Sequence, residues 1–196
     1  MVLGMTTRFA EPQTRRWSRE DYYRLAEEGW FEGQRVQLID GEIIEIPPQG
    51  HEHAKALFVL RRFLESVFPG DFWIREEKPL NVGRRSDPEP DLAAVPGLPS
   101  AYKDHPTTAL IVIEVADSSL RLDRRKAGLY ASAQIPEYWI VNLPERKLEV
   151  QRAPVQDPAA GSFGYRYNET LTLGVGDTVA LQSRPDVTLA VESLFT

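Results

Sequence analysis

The sequence predicts an α/β (α+β) domain whose centre reads helix, three strands, helix, strand. Three observations predict it. The run "ALIVIEVA" is apolar on both alternating faces, as in a central strand covered on each side. Two segments with helical spacing, about 51 to 67 and about 122 to 133, lie on either side of a group of extended segments. The dipeptide Asp40-Gly41 sits between two β-rich runs, where a type I′ turn needs positive φ at both central residues.

The elements follow in order. A helix at about 18 to 28 has Ser18 as N-cap, Asp21 in the capping-box position and Gly29 as its stop. The hairpin "RVQLIDGEIIEI" comes next. The helix at 51 to 67 has a broad apolar face of Ala54, Leu57, Phe58, Leu60, Leu64 and Val67 and ends before Pro69-Gly70. Extended segments are expected at 72 to 82, 90 to 95 and 109 to 116, with "PGLPSAYKDHPTT" as a surface loop between the last two. The helix at 122 to 133 is followed by the buried strand "EYWIVNL". A hairpin-like pair at 138 to 152, a loop at 153 to 162, and short strands near 163 to 172 and 178 to 181 complete the chain. The expected domain division is a tail at 1–16 and a single domain at 17–196.

Composition narrows the function. The 196 residues, 42% of them hydrophobic, can bury one substantial core. There is no cysteine, which excludes disulfides, thiolate metal sites and cysteine nucleophiles and fits a reducing cytoplasm. Apolar runs fall far short of the roughly 20 residues that cross a bilayer, so no membrane association is expected. A net charge of −6 argues against an all-over basic surface, yet the arginines and lysine of "RLDRRK" can form a local basic patch.

The chemistry concentrates in "IVIEVADSSLRLDRRKAGLY". Strand alternation puts Glu114 on one face with Leu110, Val112 and Ala116. Burying an unpaired carboxylate there would cost several kcal/mol. In the following helix the apolar stripe runs Leu122, Leu129, Tyr130 and Ala133, and Lys126 occupies a place in the same stripe. A buried-face acid is thus followed by a buried-face base. Asp91, in "DPEPDLAAV", enters an adjacent strand with Ala93 and Val95 as face-mates. Two neighbouring acids call for a cation between them, and oxygen ligands suit Mg²⁺ or Mn²⁺ held by Asp91, Glu114, a backbone carbonyl and waters. Lys126 beside such an ion can hold a water that attacks a phosphodiester and offset the developing charge. Periodicity alone favours the plainer reading, with Glu114 and Lys126 a buried ion pair and Asp91 a turn residue.

"PEPDLAAV", "IVIEVADSSLRLDRRKAGLYASAQIPEYWIVNL", "LIDGEIIEI" and "PPQGHEHAKAL" together resemble the Uma family of restriction endonucleases, in the PD-(D/E)XK nuclease superfamily, from about Trp17 to Phe195. The resemblance implies a restriction-endonuclease-like αβββαβ core, with an added N-terminal helix and β-hairpin and extra C-terminal strands. It implies metal-dependent hydrolysis of DNA. Asp91 matches the family's PD aspartate and Glu114 the acid of its (D/E)XK strand, with the carbonyl of Val115 as a third ligand. Two residues beyond Glu114 stands Ala116, so the lysine is carried by the next helix as Lys126. His53 matches a histidine at the start of the first core helix. Glu42 is an alternative accessory acid, and Asp123 and Tyr130 orient Lys126 or pack beside it. Gln37 replaces the glutamate that relatives place before "LIDGE", which implies one carboxylate fewer. A homodimer that cuts two strands also follows. The alternative is a catalytically silent nuclease-fold protein that binds nucleic acid or a protein partner.

Overall fold

In the computed structural model, which describes residues 14–196, six strands form one mixed sheet in the order β3-β4-β5-β6-β7-β8. These strands are β3 (Phe72–Glu76), β4 (Leu92–Pro96), β5 (Ile111–Ala116), β6 (Glu137–Asn142), β7 (Lys147–Gln156) and β8 (Tyr165–Gly174). All neighbours are antiparallel except β5 and β6, which run parallel and are joined by the crossover helix α3 (Leu120–Ser132). Every residue of β5 and β6 is buried, as continuous apolar runs require in the middle of a two-sided sheet.

Each face has its own core. On one, α2 (His51–Val67) lays Leu60, Phe63 and Leu64 against Ile111, Ile113 and Trp139. The hairpin of β9 (Thr178–Leu181) and β10 (Arg184–Ala190), with the 3-10 turn Val191–Phe195, completes this layer. On the other face, α3 covers Ala93, Val112, Ala116, Tyr138 and Ile140 with Leu129 and Tyr130. The core αβββαβ order is therefore present, flanked by α1 (Arg19–Glu27) and the hairpin of β1 (Val36–Ile39) and β2 (Glu42–Glu45).

Local signals act as their chemistry dictates. Ser18 caps α1 with a full capping box, its hydroxyl receiving the Asp21 N–H at 3.0 Å. Asp40 and Gly41 both take positive φ, 50° and 74°, between the paired strands β1 and β2. A side chain at Gly41 would also stand 2.7 Å from the Cβ of Arg16, so glycine is required twice over. The backbone N–H of Trp17 donates to Gly41 O, which ties residues 16 and 17 to the hairpin, while residues 1–13 of the expected tail lie outside the described residues.

Four boundaries differ from expectation. β3 ends at Glu76, where Glu77 takes a φ of 50° and residues 77 to 82 leave the sheet, although Leu80 and Val82 remain buried. α3 begins one turn edge earlier, at Leu120. Residues 153 to 156, expected in a loop, continue β7, because Pro154 and Val155 still face Tyr167 and Arg166 of β8. β10 was not anticipated; it tolerates Pro185 because that residue falls in the register shift between Arg184 and Thr188.

Candidate active site

Register places the acids. Leu92 of β4 faces Ile113 of β5 in an antiparallel pair, so one step further Asp91 stands opposite Glu114. Both point to the α3 side, with Ala93 and Val112 as face-mates. One Asp91 oxygen accepts the N–H of Val115 at 2.6 Å and lies 3.1 Å from His53 Nε2; the other accepts from Gln49 Nε2 at 3.1 Å. The start of α2 and the two central strands thus converge on one carboxylate.

Glu114 is buried to 3% exposure and receives two donors on a single oxygen. Lys126 Nζ lies at 3.1 Å and the Tyr130 hydroxyl at 2.8 Å. Lys126 also donates to Asp123 Oδ1 at 3.1 Å, and Asp123 is held in turn by the Ser119 hydroxyl. The Tyr138 hydroxyl donates to the Asp123 carbonyl at 2.9 Å. The i, i+3 and i, i+4 spacing of Asp123, Lys126 and Tyr130 puts all three on the buried stripe of α3.

Asp91, Glu114, Asp123, Lys126, His53 and Gln49 line a cavity of about 60 Å³, together with Gln37, Glu89 and Val115. It can hold an ion and its waters. Gln37 donates Nε2 to the carbonyl of Glu89 at 3.2 Å and leaves Oε1 buried without a partner among the described residues. His53 Nδ1 is likewise buried and unpartnered.

Charge in the cleft is unbalanced. Five carboxylates, Glu89, Asp91, Glu114, Asp117 and Asp123, line it against Lys126 and Arg35. Burial pushes the Glu114 carboxyl up to about 8, against the pull of Lys126, and the charges of Asp123 and Asp91 push it the same way. Burial works to lower the Lys126 ammonium, but the charges of Glu114 and Asp123 outweigh it, so Lys126 is raised and stays protonated. Burial and the charge of Glu114 also raise Tyr130, which remains a hydrogen-bond donor.

The donor chemistry fits a hard divalent cation. Carboxylate oxygens, the unpartnered amide oxygen of Gln37 and room for water match Mg²⁺ or Mn²⁺, which bind through one or two carboxylates and keep several waters. Among the described residues no three His, Cys, Asp or Glu side chains form a ready-made cage, so water and substrate must complete such a shell. The contact seen for Val115 is through its N–H rather than its carbonyl.

Of the residues expected here, Asp91, Glu114, Lys126, Asp123, Tyr130 and His53 are brought together. Glu42 is not. It leaves the β1–β2 turn toward solvent and pairs with Arg16 and Arg125, each at 2.6 Å, because the side chain alternates away from the cleft. His53 is buried at 4% exposure while His51 is exposed. Gln49 was missed, although it lies in "PPQGHEH"; its contact with Asp91 spans 42 residues and leaves no periodic trace.

A family model described as "Uma2: Putative restriction endonuclease" matches residues 19–192. The chain belongs to the Uma2 family. The match spans both helices and all strands that build the cleft. A crystal structure of a "putative nuclease belonging to DUF820" from Anabaena variabilis ATCC 29413 is similar to this Uma2 chain with a TM-score of 0.67 and 16% identity, over 91% of this chain and 97% of that one. That likeness shows a shared nuclease-type fold. No curated protein matches the Uma2 chain.

Proposed function

We propose that the chain is a Mg²⁺- or Mn²⁺-dependent endonuclease that hydrolyses phosphodiester bonds in DNA. One observation carries this reading: two carboxylates opposite each other on adjacent strands, Asp91 and Glu114, with Lys126 Nζ 3.1 Å from Glu114, all lining one cavity. The family description supports the nuclease class.

Asp91 and Glu114 would hold the ion, with Gln37 Oε1 and the Val115 carbonyl as further oxygen donors. Such an ion supplies Lewis-acid stabilisation of charge on the phosphoryl oxygens. Lys126, kept protonated by Glu114 and Asp123, presents a fixed positive charge where charge develops on phosphorus, and can orient the attacking water. His53, with Nε2 held by Asp91 and Nδ1 without a protein partner, can hold a second water or a phosphate oxygen. Tyr130 and Asp123 position these groups rather than touch substrate.

A second reading has its own support. Lys126 is saturated by two carboxylates at 3.1 Å each, which is also how a buried structural triad looks, and such a protein would bind nucleic acid without cutting it. Calorimetry with Mn²⁺ and plasmid nicking separate the two. The nuclease reading expects Mn²⁺ binding that disappears in Asp91→Ala and Glu114→Ala, and nicking that falls by about a hundredfold or more in either variant. An unmutated protein that binds no Mn²⁺ at millimolar concentration and nicks nothing leaves the silent reading.

A further inference from the structure

Three concavities meet along the exposed face of α3. The catalytic cavity shares Ser118, Ser119 and Leu122 with a shallow depression bordered by Arg121 and Arg125. That depression shares Arg125 with a second cavity of about 310 Å³ between α3 and the segment 160 to 167. Phe163, Tyr165, Gln151 and Arg166 line this second cavity. Gly128 allows a close approach: a Cβ there would lie 3.2 Å from the Phe163 ring and 3.2 Å from the Tyr165 carbonyl, so a larger residue would push the aromatic segment away from the helix by a few tenths of an ångström.

The charge along this path runs against that of the whole molecule. Arg121, Arg124, Arg125 and Arg166 line the depression and the second cavity, against three carboxylates, Glu149 paired with Arg124, Glu42 with Arg125 and Asp157 with Arg166. The chain as a whole carries −6. Arg121 and Arg125 are four residues apart on the helix, so their side chains are neighbours spaced about 5–6 Å along the axis, comparable with successive phosphates of one strand. A phosphate rail leading to a cavity with aromatic and amide groups is the arrangement that single-stranded nucleic acid uses, with arginine on the backbone and a π-face for a base.

Resting on the nuclease reading, we infer that one strand of the substrate leaves the catalytic cleft along Arg121 and Arg125 and seats a nucleobase in the cavity formed by Phe163, Tyr165 and Gln151. Cleavage therefore acts on a strand that is locally unpaired beside the scissile phosphate.

Fluorescence anisotropy with a labelled 20-mer oligodeoxynucleotide, single-stranded or annealed to its complement, tests this in EDTA, where no metal-dependent cleavage occurs. Arg121→Gln and Arg125→Gln should each weaken single-strand binding by about tenfold and lower the slope of log K against log salt by about one. Phe163→Ala should weaken single-strand binding by about tenfold and the duplex by less. Arg61→Gln, on α2 across the sheet and paired with Glu65 and Glu76, should bind as the unmutated protein does. Arg121→Gln, whose side chain is exposed, should melt as the unmutated protein does. Unchanged binding in both arginine variants, or an equal loss in Arg61→Gln, overturns the rail; equal losses for both probes in Phe163→Ala overturn the base seat. If the unmutated protein nicks plasmid while the arginine variants bind and nick normally, the rail falls and the nuclease reading stands. If arginine-dependent binding occurs with no cleavage under Mg²⁺ or Mn²⁺, the nuclease reading falls and the rail stands.

Discussion

Two buried glutamates on neighbouring strands invite comparison. Glu114 of β5 and Glu137 of β6 are each 3% exposed. Glu137 is saturated: Oε1 accepts two bonds from Arg152, at 2.8 and 2.7 Å, and one from the Trp139 indole at 2.9 Å, while Oε2 accepts the Gln182 N–H at 3.0 Å. Glu114 accepts both of its donors on Oε1, and among the described residues Oε2 takes none. Glu137 is locked between strands behind Arg152 and Gln182, which themselves border a cavity, whereas Glu114 lines one directly. The difference separates a staple from a site. Burial alone does not mark function; burial with spare lone pairs and uncompensated charge does.

The sharpest way to break this comparison is at Arg152. Arg152→Met should strand the Glu137 carboxylate and cost about 3–5 kcal/mol of stability in thermal or urea melts, with no rescue by Mn²⁺. If Mn²⁺ restores the melt, Glu137 is no mere staple.

The pH dependence comes next in size. The Glu114 carboxyl is raised from its usual 4.5 to about 8 in the folded protein, so the folded state binds the extra proton. Its contribution is fully present below about pH 4.5 and is lost as pH rises through about 8, a change on the order of a few kcal/mol. Melts in EDTA should show this decline, Glu114→Gln should abolish it, and Mn²⁺ should flatten it by taking the proton's place. A decline that survives in Glu114→Gln assigns the titration elsewhere.

Lys126→Met sharpens the comparison from the other side. Because Glu114 can keep its proton when the ammonium is gone, the melt should fall by only about 1–2 kcal/mol, while nicking drops by about a hundredfold or more. A loss as large as that of Arg152→Met, in both EDTA and Mn²⁺, would make Lys126 a structural partner.

The smallest expected effect lies far from both glutamates. Ser18→Ala removes the capping-box hydroxyl of α1 and should cost about 1 kcal/mol in the melt with nicking unchanged.

What could be read in advance follows the range of the interactions. The α1 cap, the Asp40-Gly41 turn and the alternation in β5 act over a few residues, and each took its expected form. Lys126 was legible because helical spacing alone assigns it to a buried stripe. That Asp91 opens a strand beside that of Glu114 was readable from its apolar run after two prolines and matched by the family resemblance, but its position opposite Glu114 depended on strand register, which no local pattern states. The capture of Glu42 by two arginines, 26 and 83 residues away, and the approach of Gln49 to Asp91 are tertiary events without a sequence period. β10 was not anticipated; its Pro185 falls in the register shift between Arg184 and Thr188, where it has no strand partner.

The bond from the Val115 N–H to Asp91 reaches across 24 residues, and the same carboxylate binds Gln49 and His53 at the start of α2. None of these partners can meet before the loop from β4 to β5 and the longer one from α2 to β4 have closed, and such distant closures come at an entropic cost that delays them. Folding therefore completes the cleft after the local elements it is built from. The Val115 amide is the natural clock for that step: its hydrogen exchange should be slow in the intact protein and quicken in Asp91→Ala, while the amides of α3 keep their protection. A chain whose β4 has slipped by one residue presents Leu92 to that amide instead of a carboxylate, so the same bond that steadies the site also rejects a misregistered sheet.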